Sequence, residues 1–119
     1  ENGLEGIRGE LAQGLPAVAQ IGLPTLRSRL EAGDSLEQAG VQVLLALMAQ
    51  VVDTNLIARG GLEGQQWAME RAKALTQDRV ASREETEELD KDFVECNLSP
   101  GGCADLLAIT YFLEFLSRM

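Results

Sequence analysis

The residues able to do chemistry gather in two glycine-rich stretches. The first is Asp53-Thr54-Asn55-Leu56-Ile57-Ala58-Arg59-Gly60-Gly61, which follows the most apolar part of the chain. Asp53 can ligate Mg²⁺ or act as a base, Arg59 can grip a phosphate, and Gly60-Gly61 can let a ligand approach backbone amides. Read structurally, the same stretch is a helix C-cap in which Asn55 and the glycines end a helix and Asp53 pairs with Arg59. The second stretch is Asn97-Leu98-Ser99-Pro100-Gly101-Gly102-Cys103-Ala104-Asp105. Ser99 and Pro100 are start signals for a helix whose first turn would carry Gly101 and Gly102. Amides exposed at such a terminus, with the positive end of the dipole, suit phosphate or carboxylate. Asp105 lies one turn in, where a carboxylate suits the dipole or holds a metal. The competing reading is that the glycines only permit close helix packing. A weaker patch, Arg8-Gly9-Glu10, is either a surface ion pair or part of a site.

Composition narrows that chemistry. The chain has no histidine, so a Ser-His-Asp triad, a Cys-His pair and any His-containing metal site are excluded within it. Two cysteines make zinc unsuitable. What remains is carboxylates, arginines, hydroxyls and backbone amides. A net charge of −9 disfavours nucleic acid and anionic membrane surfaces, which attract clustered Lys and Arg. No signal-like or spanning run is seen, so a cytoplasmic protein with Cys96 and Cys103 reduced is expected.

The elements that must position these stretches read as helices throughout, and no segment alternates like a half-buried strand. Leu4–Gln13 forms a short helix stopped by Gly14 and Pro16. A second spans Ala17–Glu31, is bent by Gly22 and Pro24, and closes at Gly33. Ser35 and Gln38 make a capping box for a third, apolar almost all round and running to about Val52. Leu62–Thr76 is the fourth. Ser82 and Glu85 cap a charged helix to about Cys96, with Leu89, Phe93 and Cys96 at helical spacing. The last starts at Ser99-Pro100 and carries Leu106, Leu107, Ile109, Phe112, Leu113 and Leu116. With 119 residues, the expected fold is all-α: a single compact bundle of about five to six helices around a buried central helix.

Three stretches carry a family likeness. N-L-S-P-G-G-C-A-D-L-L-A-I-T-Y-F-L resembles the C-terminal signature of the triphosphoribosyl-dephospho-CoA synthase family. D-T-N-L-I-A-R-G-G resembles its second motif, and G-L-E-G-I-R-G-E-L-A-Q-G-L-P the segment that opens this part. Order and spacing match along essentially the whole chain. Cys103 stands where the family usually carries serine. The family protein is more than twice this length, and its motifs of the P-K-P-G-L-V-D, G-A-H and N-T-H-K-G types do not occur here. The likeness is therefore to the C-terminal portion, with the N-terminal half supplied in cis or in trans.

That resemblance implies a transferase joining ATP to 3′-dephospho-CoA. It gives 2′-(5″-triphosphoribosyl)-3′-dephospho-CoA, the prosthetic-group precursor of citrate lyase or malonate decarboxylase acyl carrier protein, and releases adenine. Substitution at the anomeric carbon of the ATP ribose needs phosphate grips, a carboxylate near the sugar cation and proton management. The expected set has Asp53 and Asp105 as catalytic or Mg²⁺-binding carboxylates. Arg59, Gly60, Gly61, Gly101 and Gly102 hold phosphates, and Asn55, Asn97 and Ser99 orient oxygens. Arg8 and Glu10 are matched substrate-binding positions. The isolated chain is expected to be inactive, and a homo-oligomer is admitted. The alternative is a non-catalytic helical module that binds a nucleotide or CoA-like ligand.

Overall fold

The computed structural model describes residues 15–119. The opening helix over Leu4–Gln13 and the Arg8 and Glu10 positions lie outside the described residues. Among the described residues there are five α-helices and no strand, as the periodicity predicts. They are α1 (Leu23–Glu31), α2 (Leu36–Met48), α3 (Thr54–Thr76), α4 (Arg83–Glu95) and α5 (Gly101–Ser117), with a π-helical turn over Val18–Gly22 leading into α1.

The bend expected at Gly22 and Pro24 is that π turn. Leu23 N–H reaches back five residues to the Val18 carbonyl, and Pro24, having no N–H, sits harmlessly in the first turn of α1. Helix α1 ends as predicted: Gly33 adopts φ 103°, its N–H bonds the Leu30 carbonyl at 3.1 Å, and Asp34 N–H bonds Arg29 O at 3.0 Å. Both capping boxes form. Gln38 N–H donates to Ser35 Oγ and Glu85 N–H to Ser82 Oγ, each at 3.1 Å, with the return bonds at 2.9 Å.

Helix α2 is the central element. Ala39, Val43, Leu45, Leu47 and Met48 are buried, and α2 packs against the π turn, α1, α3 and α5. Its Gly40 admits the Tyr111 ring of α5, whose hydroxyl donates to the Leu36 carbonyl at 3.1 Å; any Cβ at Gly40 would overlap that ring. Helix α2 stops at Met48, several residues before the expected Val52, because Asp53 must be extended (φ −107°, ψ 109°) to begin the next helix. Helix α4 joins α3 through Trp67 and Phe93, with ring centroids 5.4 Å apart, and through Arg71 to Asp92 at 2.8 Å. Leu89 and Phe93 are buried, whereas Cys96, placed on the same face by spacing, is the exposed C-cap. No helix among the described residues is long and apolar enough to cross a membrane.

The Glu85 carboxylate accepts from Arg79 and from Ser82 N–H, and these bonds, Arg79 first, bring its pKa down from 4.5 to about 2. A folded pKa below the unfolded one means the contribution to stability is complete above pH 4.5 and fades as pH falls toward about 2. Acid titration of helical circular dichroism should show Glu85→Gln flattening the stability loss in that window. An unchanged acid limb in the variant would contradict the assignment.

Candidate functional site

The two glycine-rich stretches are not separate, and the first is helical almost throughout. Asp53 is the N-cap of α3, which is helical from Thr54, so Asn55 begins a helix where a terminator was expected. The helix breaks only at Gly61 (φ 68°, ψ −171°), a backbone conformation that glycine adopts without strain. The second stretch opens with Asn97 at φ 56°, the left-handed stop of α4: Asn97 N–H bonds Val94 O at 3.1 Å and Leu98 N–H bonds Phe93 O at 2.9 Å. Ser99 is not the N-cap of α5 as predicted. Pro100 holds that position, with no side-chain cap of its own, and the helix starts at Gly101.

The missing cap comes from the other stretch. Asp53 is 1% exposed, and its carboxylate accepts four backbone N–H groups from two helices. Oδ1 takes Asn55 N–H at 2.9 Å, Leu56 N–H at 3.3 Å and Gly102 N–H at 3.1 Å, while Oδ2 takes Cys103 N–H at 3.0 Å. The expected pairing with Arg59 is not made. An added Cβ at Gly102 would lie 2.8 Å from Asp53 Oδ1, so this glycine is what lets the carboxylate reach the helix start. Gln65, buried in the second half of α3, accepts the Asp53 N–H at 2.9 Å and thereby ties the cap across the Gly61 break.

From this knot the two stretches run antiparallel. Asn55 faces Gly101, where a Cβ would meet its amide nitrogen at 3.0 Å. Leu98 seats in a notch over Gly60 and Gly64, its Cδ2 lying 2.7 Å and 3.7 Å from where their Cβ atoms would be. Gly60 thus admits a side chain, and only Gly61 is open to approach. At the far end the exposed Arg59 guanidinium donates to Asn97 Oδ1 at 3.5 Å. Each other described arginine pairs with a described carboxylate: Arg27 and Arg118 with Glu114, Arg29 with Asp34, Arg71 with Asp92, Arg79 with Glu85, and Arg83 with Glu87. Arg59 makes no such pair with them. Ser99 and Asp105 are exposed at the start of α5.

Both Asp53 oxygens accept backbone amides, Asp105 is solvent-exposed, and the described residues contain no group of three or more His, Cys, Asp or Glu that could hold an ion. The thiol of Cys103 is buried, and desolvation first, then the neighbouring Asp53 charge, drives its pKa far up, so it stays neutral. Cys96 and Cys103 are both free, as expected.

A profile of the ATP:dephospho-CoA triphosphoribosyl transferase family matches residues 1–119. The chain belongs to this family. It is 47% identical to a protein of Photobacterium profundum named a probable 2-(5″-triphosphoribosyl)-3′-dephosphocoenzyme-A synthase, over all of this chain and 39% of that one. It is 42% identical to the synthase of that name from Pectobacterium atrosepticum, over 94% of this chain and 37% of the relative. It is 40% identical to a probable one from Azotobacter vinelandii, over 98% and 41%. The chain thus spans about two-fifths of the length of these relatives. No solved structure matches it.

Sequence reasoning missed Gln65, which sits inside an ordinary helical pattern and carries no signal. It also missed Glu114, a lone carboxylate in the apolar run of α5, which Arg27 meets at 2.7 Å and Arg118 at 3.0 Å; these arginines hold its pKa below the usual range.

Replacing Asp53 with alanine would leave buried amides of two helices without an acceptor. Urea denaturation should show a loss of about 2–5 kcal/mol for Asp53→Ala, and a smaller one for Asp53→Asn, which keeps one acceptor oxygen. A variant as stable as the parent chain would contradict the double cap.

Proposed function

We propose that the protein to which this domain belongs transfers the triphosphoribosyl group of ATP to 3′-dephospho-CoA and releases adenine. The observation carrying the reading is Arg59: within a chain that matches the family from end to end, it is the described arginine left without a described carboxylate, and it stands where the two stretches meet. A guanidinium so placed suits a phosphate, and the Asn97 oxygen already aims it.

The transfer exchanges bonds at one carbon. The bond from the anomeric carbon of the ATP ribose to adenine breaks, a bond to a ribose hydroxyl oxygen of dephospho-CoA forms, and the hydroxyl proton ends on adenine. Positive charge develops on the sugar in between. In this reading Arg59 holds triphosphate oxygens, Asn55, Asn97 and Ser99 orient ribose or phosphate oxygens, and Gly61 and the Gly101 amide line the approach. Asp105 faces the sugar cation from solvent, and Asp53 positions the two helices. Arg8 and Glu10 are proposed as further substrate contacts on the motif match. Mg²⁺ is proposed to come with the triphosphate and to meet a carboxylate of this chain, Asp105 being the exposed one, since Mg²⁺ is commonly held by one or two carboxylates together with substrate phosphates. A cytoplasmic setting accords with the two free thiols.

A binding module whose chemistry comes from the rest of the protein is the second reading. It is favoured by the engagement of Asp53, whose carboxylate is occupied by the amides of two helices and is not poised as a base. The isolated chain would then release no adenine but would gain thermal stability with ATP.

In the full-length enzyme, Arg59→Ala should lower kcat/KM for ATP by about 10–100-fold, the worth of a charge-assisted phosphate contact. Melting should be unaffected, because the side chain is exposed. Unaltered kcat/KM would rule out the phosphate role.

A further inference from the structure

Helix α5 has two apolar faces, and the fold uses one. Inward, Cys103 and Thr110 are buried, Leu106 and Leu107 pack against the core, and Glu114 is tied to Arg27. Outward stand Phe112, 61% exposed, Phe115, 47%, and Leu116, 48%. Their spacing of three and four residues puts them on one side of the helix. Tyr111 stacks on Phe115 with centroids 6.2 Å apart, and its hydroxyl bond to Leu36 holds the aromatic pair in place. Large apolar side chains gathered on one exposed face mark an interaction surface, whereas scattered ones need no explanation.

We propose that this stripe is the seat of the region that full-length family members carry outside the matched segment. Two observations select that occupant. The chain is matched in full but covers only 39% of its Photobacterium relative, so most of that protein lies outside the matched segment and is available, in the same polypeptide, to cover the stripe. The stripe is also small: with roughly 200 Å² per large side chain, its exposed part offers on the order of 300 Å². That falls short of the roughly 450 Å² of apolar surface within the roughly 800 Å² that each partner brings to a stable complex between separate molecules. It is ample for a contact within one polypeptide, which loses no translational freedom on closing. The inference rests on family membership and on exposure, not on the transfer reaction.

The test places a thiol on the stripe. In this chain, Phe112→Cys with the exposed Cys96 changed to Ser should react with a maleimide at the rate of a surface thiol. At the aligned position of the full-length Photobacterium synthase, the same thiol should react at least about tenfold more slowly, because a seated side chain is reached only from an open state. Phe112→Ser with Phe115→Ser should lower the melting temperature of the full-length protein and leave that of this chain unchanged. Equal labelling in the two proteins would overturn the proposal. So would labelling of this chain that slows with its own concentration, which would assign the stripe to a second copy. Adenine release by the full-length protein is a separate readout, so a failed docking test leaves the transfer reading standing.

Discussion

One carboxylate joins the ends of two helices, and the arrangement of the site follows from it. Each α-helix starts with amides that have no partner inside the helix. Asp53 supplies acceptors for α3, of which it is the first-residue cap, and for α5, which lies some fifty residues further along the chain. Removing it would open two termini at once, and both termini belong to the stretches that carry the family motifs. Gly102 and Gln65 make the arrangement possible from opposite sides: the glycine leaves room for the carboxylate, and the glutamine holds the backbone that bears it.

The knot also fixes what lies beyond it. With Asp53 bound to Gly102 and Cys103, the first half of α3 runs back along Asn97–Gly101, Leu98 fills the notch over Gly60 and Gly64, and Arg59 comes beside Asn97. The left-handed turn at Asn97 aims both Leu98 and the Asn97 side chain at α3. Asparagine suits this position twice: its backbone tolerates the conformation, and its amide oxygen meets the arginine.

Much of this was legible in the residues, and the errors share a cause. The capping boxes at Ser35 and Ser82 and the stop at Gly33 are local devices, complete within a few residues, and they form as read. The buried character of α2 follows from its unbroken apolar pattern. What failed was long-range. Ser99-Pro100 has the local signature of a helix start, but a better acceptor from another helix took the amides that Ser99 would have capped. The engagement of Asp53 with Gly102 was hidden for the same reason: polar atoms and bare backbone in sequence do not reveal which distant groups they meet. Gln65 could not be found, since nothing local distinguishes a glutamine that reaches across a helix break.

The charge balance at the knot bears on how anionic substrates are held. A helix N-terminus carries roughly half a positive charge, so the starts of α3 and α5 together present about one, against one carboxylate. Asp53 therefore cancels the field that made the Gly101-Gly102 terminus attractive for phosphate, and the neutral Cys103 thiol adds nothing to it. In a chain with a net charge of −9, any attraction for an anion beside these two helix starts is then left to discrete cations. The arginines engaged by carboxylates on the surfaces of α1, α3, α4 and α5 are compensated already. Arg59 is not compensated by any described carboxylate, and the structure that holds it in place is the one that silences the helix dipoles beside it. Among the described arginines Arg59 alone keeps its charge unpaired by a described carboxylate, aimed by Asn97 and carried on a helix whose start is fixed by Asp53.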